Sequence, residues 1–222
     1  MIVTIHQPDF IPWLGFFSRW AKSDLFILLD DVQFLRRGWH HRDRIKTQHG
    51  AHWLTIPIKK KGKYSQLINE VEIDNSNDWC CAHLETLKHA YSRAPYYQTV
   101  IRELEKVYQV PGESLRDFNI GMLKCLAQFF HINTEICLSS DLKVGSSSAE
   151  KLIKLVKAVK GKTYLTGMGS KAYLEEKLFQ EENIHVIWED YQQPQYEQLH
   201  GDFSSNLSAI DYLMMCGSMR FS

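Results

Sequence analysis

Residues 2–30 read I-V-T-I-H-Q-P-D-F-I-P-W-L-G-F-F-S-R-W-A-K-S-D-L-F-I-L-L-D, and two short apolar runs inside this stretch decide the fold. Ile2–His6 has the length of one buried strand. Asp24–Asp30 is a second run, continuous enough to be buried on both faces as parallel strands are. Between them Gly15–Lys22 carries Phe16, Phe17 and Trp20 in a helical turn or two. Strand, short helix and strand within about 30 residues make a βαβ unit, whose crossover is right-handed.

The same rhythm returns at the far end of the chain. Thr134–Leu138, Thr163–Thr166 and Ile184–Trp188 read as strands. A helix with Leu152, Leu155, Val156 and Val159 inward follows a capping box of Ser147 and Glu150, and Lys171–Glu182 reads as another. A last short helix has Leu207, Ile210 and Met214 on one side, with Ser208 as its cap and Asp211 reaching back. Asp31–Gly50 is basic, aromatic and aperiodic, and reads as a long loop or irregular ribbon. Trp53–Ile58 regains strand character, with Pro57 marking an edge or an end, and Glu70–Ile73 adds a short strand.

The middle of the chain is helical. Trp79, His83, Leu87 and Tyr91 recur every four residues behind Asp78, a second helix follows Pro95, and a third carries Leu115, Phe118, Met122, Leu126 and Phe129. These positions read first as core. Strands alternating with helices at both ends predict an α/β fold, a mainly parallel Rossmann-like sheet with helices on both faces. The expected unit is one domain over residues 1–222, in which residues 76–131 form a helical insertion or cap on an α/β core of 1–75 and 132–222.

Composition narrows the partners. Lys+Arg and Asp+Glu both number 26, so no global basic field argues for nucleic acid. No apolar run approaches the roughly 18–20 residues of a membrane span. The N-terminus lacks a basic segment followed by a long apolar one, so the expected location is cytoplasmic. The five cysteines are scattered without a C-x-x-C pair, and adjacent Cys80 and Cys81 make no strain-free bridge, which fits reduced thiols. The histidines lack zinc-site spacing, so no metal is expected.

In an open parallel sheet the binding crevice lies outside the carboxyl ends of the strands. His6 and Gln7 end the first strand; Asp30, Asp31 and Gln33 end the second; Thr166-Gly167-Met168-Gly169-Ser170 ends a third. His6 reads either as a half-buried histidine bonded to a backbone carbonyl or as a general base near neutral pH. Gln7 orients a ligand as donor and acceptor. Asp30 and Asp31 either merely end a strand in a turn, or one of them orients an imidazole or binds a sugar hydroxyl while the other only caps. Trp13, after Pro8 and Pro12, is a lid or a staple on the helix. Gly167 and Gly169 open a turn whose free amides bind anions, or form an ordinary tight turn. Arg36, Arg37, Arg42, Arg44 and Lys46 form either a solvated loop or a phosphate site. The interleaved Trp39 raises base stacking in RNA, but the balanced charge favours a small phosphorylated ligand. His83 faces the core or a cleft.

H-Q-P-D-F-I-P-W-L-G-F-F, S-D-L-F-I-L-L-D-D-V-Q-F, R-D-R-I-K with W-L-T-I-P-I, W-C-C-A-H-L with A-Y-S-R-A-P, Y-L-T-G-M-G-S-K-A-Y-L and P-Q-Y-E-Q-L-H-G-D-F with L-S-A-I-D-Y-L closely resemble the WbqC-like family, in order over nearly the whole chain. The matching positions include His6, Gln7, Trp13, Asp30, Gln33, Arg42, Trp79, His83 and Tyr91. His41 departs from the asparagine the family pattern has before the loop arginine. The resemblance implies a transferase of O-antigen and other surface polysaccharides, lipopolysaccharide included. It implies N-acyl or aminoacyl transfer from a thioester to a nucleotide-linked amino sugar. Acyl-CoA or acyl-carrier protein would then be a co-substrate, with no tightly bound cofactor. The catalytic set would be His6, Gln7 and Asp30. Trp13, Asp31, Gln33, Arg42, Arg44, Lys46, His83, Tyr91, Gly167 and Gly169 would contact substrate, with the phosphates near Arg42, Arg44 and Lys46. Two alternatives stay open: a nucleotidylyltransferase-like enzyme, although the second histidine of H-x-G-H is missing, and a non-catalytic sugar- or carrier-binding module.

Overall fold

The computed structural model describes residues 1–145, 148–172 and 174–221. Alternation along the first strand determines how the sheet is covered. In β1 (Ile2–His6), Val3 and Ile5 enter one hydrophobic cluster, while His6 on the opposite parity packs its ring edge-to-face on Phe16. After α1 (Leu14–Ala21), β2 (Leu25–Leu28) lies parallel to β1 with Val3 opposite Leu25 and His6 opposite Leu28. The expected βαβ unit is therefore present.

The remaining elements follow in chain order. A hairpin of β3 (Arg42–Thr47) and β4 (Gly50–Thr55) precedes three helices, α2 (Trp79–Tyr91), α3 (Tyr97–Tyr108) and α4 (Leu115–Phe129). Then come β5 (Glu135–Leu138), α5 (Ser139–Leu142), α6 (Ser148–Ala158), β6 (Thr163–Gly167), α7 (Glu176–Glu181), β7 (His185–Glu189) and α8 (Ala209–Cys216). The five-stranded sheet has the order β5-β2-β1-β6-β7, and every neighbouring pair is parallel. The chain builds outward through β2 and β5, then returns to the other side of β1 for β6 and β7.

Helices cover both faces. Val3, Ile5 and Ile27 pack with Leu155, Val156 and Phe179, and Tyr164 stacks on Phe179 at 5.3 Å. On the opposite face Phe26 and Leu28 join Phe16, Phe17 and Trp20 of α1, in a core continuous with α2, α3, α4 and α8. Trp20 stacks on Phe26 at 5.1 Å, and its indole N–H donates to the carbonyl of Thr134. Full burial of a side chain such as Phe16 or Phe26 stabilises the fold by about 2 kcal/mol. The helical middle is thus packed into the same core as the sheet.

Several expectations are corrected. Asp31–Gly50 is not wholly irregular, because Arg42–Thr47 forms β3, antiparallel to β4. The alternation is masked because a buried aspartate, Asp43, stands beside buried Ile45 on the apolar parity. Gly50, at φ 93°, supplies the left-handed residue at the reversal. The following strand accordingly spans Gly50–Thr55 rather than Trp53–Ile58. Glu70–Ile73 makes only isolated bridges, Ile73 with Ile58 and Glu72 with Ser114. Lys171–Glu182 is split into a 3-10 turn over Met168–Ala172 and α7, because Glu175 takes an extended backbone before α7. Ser147 of the expected capping box lies outside the described residues. Ser208 caps α8 by accepting from Ile210 N–H, but Asp211 does not reach back to it. Its carboxylate accepts instead from Tyr91, Tyr196 and Gln198.

Candidate active site

Reversal of strand order sets the position of the site. The sheet changes direction of growth between β1 and β6, and ligands of open α/β sheets bind outside the carboxyl ends of the strands at such a point. A cavity of about 710 Å³ opens there, within the 300–1,000 Å³ typical of small-molecule sites. His6 and Gln7 enter it from β1, Thr166 to Ser170 from the end of β6, and Glu189 to Tyr191 from the end of β7.

The loop after β1 is held rigidly. Phe10 and Ile11 are fully buried, and Ile11 sits at φ 41°, a left-handed conformation that a β-branched residue adopts only under constraint. The constraint comes from outside the loop. Phe10 N–H donates to the carbonyl of Trp39, and the Asn119 carboxamide donates at 2.7 Å to the carbonyls of both Pro8 and His40. Trp13 folds over the first turn of α1, where a Cβ on Gly15 would lie 2.4 Å from its ring, and meets Tyr191 edge-to-face at 5.6 Å.

His6 is pinned through one nitrogen. Its Nδ1 lies 3.1 Å from the carbonyl oxygen of Gln7 and 3.5 Å from the carboxylate of Asp9. Both are acceptors, so the proton of the neutral ring resides on Nδ1 and the lone pair on Nε2. Among the described residues Nε2 makes no hydrogen bond, and the side chain keeps 31% of its surface open in the cavity. Burial, with Arg19 nearby, lowers the pKa below the ordinary value of 6.5, against the opposing pull of Asp9. The imidazole is therefore neutral at pH 7 and able to accept a proton. Asp9 also binds buried His40 at 3.0 Å, giving a His6–Asp9–His40 chain behind the cavity.

Charges at the β7 side are paired but not saturated. Glu189 accepts from Ser18 at 2.6 Å and lies 3.3 Å from Lys22 and 3.7 Å from Arg19. Its Oε2 is buried and makes no hydrogen bond among the described residues. A Cβ at position 167 would lie 2.9 Å from the Arg19 guanidinium, so Gly167 leaves the room that Arg19 occupies. Lys151 faces the cavity with its ammonium 2.8 Å from Asp31. Burial, reinforced by Glu189, raises the phenol of Tyr191 to about 12, so it is a hydrogen-bond donor at neutral pH.

Of the residues singled out in the sequence, His6, Gln7, Trp13, Gly167 and Gly169 meet at the cavity. Asp31 reaches its edge only through Lys151. The others lie elsewhere. Asp30 is fully buried, accepts from Ser139, Ser140 and Arg116, and does not hold His6; that position belongs to Asp9. Gln33 is exposed and bridges to Leu67. The ammonium of Lys46 is buried against the carbonyl oxygens of Gln198, Gly201 and Asp202. Arg42 donates to the carbonyl of Arg37, and Arg44 to that of Asn206. His83 uses both nitrogens, on the Tyr108 hydroxyl and the Thr55 carbonyl. Tyr91 is fully buried, donating to Asp211 and accepting from Lys46 N–H.

Asp9, Arg19, Lys151, Glu189 and Tyr191 were missed. Asp9 stands three residues after His6 in the opening motif, and Glu189 and Tyr191 follow a strand end; the rim rule applied to the last strand would have found the latter two. Among the described residues no group of three or more His, Cys, Asp or Glu side chains is arranged to hold a metal ion. No described helix is long and apolar enough to cross a membrane.

The sequence model of the WbqC-like protein family matches residues 7–222. The uncharacterized protein Rv1507c of Mycobacterium tuberculosis (strain ATCC 25618 / H37Rv) is 34% identical over 218 residues, covering 97% of this chain and 94% of the relative. No solved structure matches the chain.

Proposed function

The chain belongs to the WbqC-like family, and from that premise we propose that it is a transferase of surface-polysaccharide biosynthesis, moving an acyl or aminoacyl group from a thioester to a nucleotide-linked amino sugar. One observation carries the reading: a neutral histidine with its Nδ1 committed and its Nε2 open stands at the switch point of a parallel sheet, in a cavity of about 710 Å³. The sugar amine attacks the thioester carbonyl, His6 Nε2 takes the proton leaving the nitrogen, the C–S bond breaks, and the thiolate departs with a proton. The product is an amide. Gln7, whose carboxamide makes no hydrogen bond among the described residues, orients a reactant. Glu189 Oε2, buried and likewise without one, accepts from a sugar hydroxyl.

The test combines a nucleotide-linked amino sugar with acyl-CoA or acyl-carrier thioester. Amide product together with free thiol in equal amounts supports the reading. Absence of both across a panel of donors, with tight binding of the nucleotide sugar alone, would turn it into a binding module. Nucleotidyl transfer is favoured by one feature, a strand order shared with nucleotide-binding sheets; release of pyrophosphate from a nucleoside triphosphate identifies it.

A further inference from the structure

Charge in this chain is balanced overall but not in space. Residues 35–65 hold nine lysines and arginines against a single acid, Asp43, in a chain of 26 against 26, so the remainder carries the matching acidic excess. Even Asp43 adds little negative charge there, since burial raises its pKa to about 8. The segment also holds four of the large apolar side chains left exposed: Leu35 at 54%, Trp39 at 45%, Trp53 at 39% and Tyr64 at 78%.

These residues form one continuous surface. Arg36 lies over the Tyr64 ring at 4.8 Å, Arg37 accepts from Arg42, Arg42 covers Trp53 at 4.4 Å, and Trp53 meets Trp39 at 5.4 Å. Leu35 joins Trp39 through the tight turn in which Gly38 N–H donates to its carbonyl. Lys59 and Lys63 share the single carboxylate of Glu72, whereas among the described residues Arg37, Lys60 and Lys61 have no acidic partner. Unpaired cations around amphipathic rings and an aliphatic tip match the chemistry of a charged interface over hydrocarbon.

We propose that this face docks the protein on an anionic lipid surface. Leu35, Trp39 and Trp53 enter the boundary between headgroups and acyl chains, and Arg36, Arg37, Lys60 and Lys61 meet the lipid phosphates. Single-stranded nucleic acid fits less well, because Arg42 already covers a face of Trp53 that a base would need.

Sedimentation with phosphatidylcholine vesicles, with and without about a third phosphatidylglycerol, tests the inference. The expected result is partitioning onto the anionic vesicles alone, weakening as salt rises. Arg36→Gln, Arg37→Gln, Lys60→Gln and Lys61→Gln together should lower it several hundredfold, at about fivefold per cation, with the thermal midpoint unchanged. Trp39→Ser should reduce binding about tenfold without altering the salt dependence. Should the quadruple variant fail to fold, quenching of wild-type indole fluorescence by brominated anionic lipid replaces it. Equal binding to both vesicle types, no binding to either, no quenching, or tighter binding to single-stranded RNA or to polyglutamate would each overturn the proposal.

Discussion

At the mouth of β1, His6 leaves one ring nitrogen open to a cavity, whereas behind the β3–β4 hairpin His83, Tyr91 and Lys46 each commit their polar atoms to internal partners. The residue types are alike and so is their place in recognisable motifs. What separates them is whether neighbouring carbonyls, hydroxyls and carboxylates saturate them. A buried polar group that is fully bonded holds the fold; one left with an open lone pair beside a hollow is available for chemistry.

The largest break in that contrast should come from His6→Ala. Loss of a general base should lower turnover by about 10²–10⁴-fold while the thermal midpoint moves little, because only one side of the ring packs. Turnover at the wild-type level would remove His6 as base. Next comes the pH response of His83. Burial holds its pKa down to about 4, so between 6.5 and about 4 the unfolded chain takes up a proton that the folded one does not. Wild-type stability should therefore fall relative to His83→Gln as pH drops through that window, by up to about 3 kcal/mol. Denaturation curves that stay parallel from pH 7 to 4 would contradict it.

Tyr91→Phe should cost about 2 kcal/mol, since it strands a buried carboxylate oxygen of Asp211 and the N–H of Lys46. Ligand affinity at the cavity should be unaffected; a selective loss of affinity would move Tyr91 to the site side of the comparison. Smallest is Asp9→Asn, about tenfold in kcat/KM, or about 1.4 kcal/mol. Because Asp9 raises the pKa of His6, its neutralisation should shift the acid limb of the pH–rate profile to lower pH, a displacement that a purely structural residue would not cause.

Much of the sheet was legible because parallel strands buried on both faces read as short, largely apolar runs, as Leu25–Leu28 does throughout and Val3–Ile5 does apart from buried Thr4. The hairpin was hidden because its inward positions include Asp43, and Lys46 is buried as well, so charge disguised the alternation; the glycine after Thr47-Gln48-His49 was the available signal. Rim position places His6, Gln7, Gly167 and Gly169 around one cavity. It failed for Asp30, which follows the adjacent strand but is drawn downward by the serines that open α5 and by Arg116. Strand ends state which residues reach an edge, and only side-chain partners state which way they turn.

The register between β1 and β6 carries a consequence for how the molecule is made. Ile2 pairs with Thr163, so the halves of the hollow are separated by most of the polypeptide. A nascent chain would expose the β1 edge until β6 emerges from the ribosome, and closing so long a loop makes assembly slow. Until then a hydrophobic strand edge stays available for wrong pairing, which makes protection by chaperones during synthesis an expected requirement.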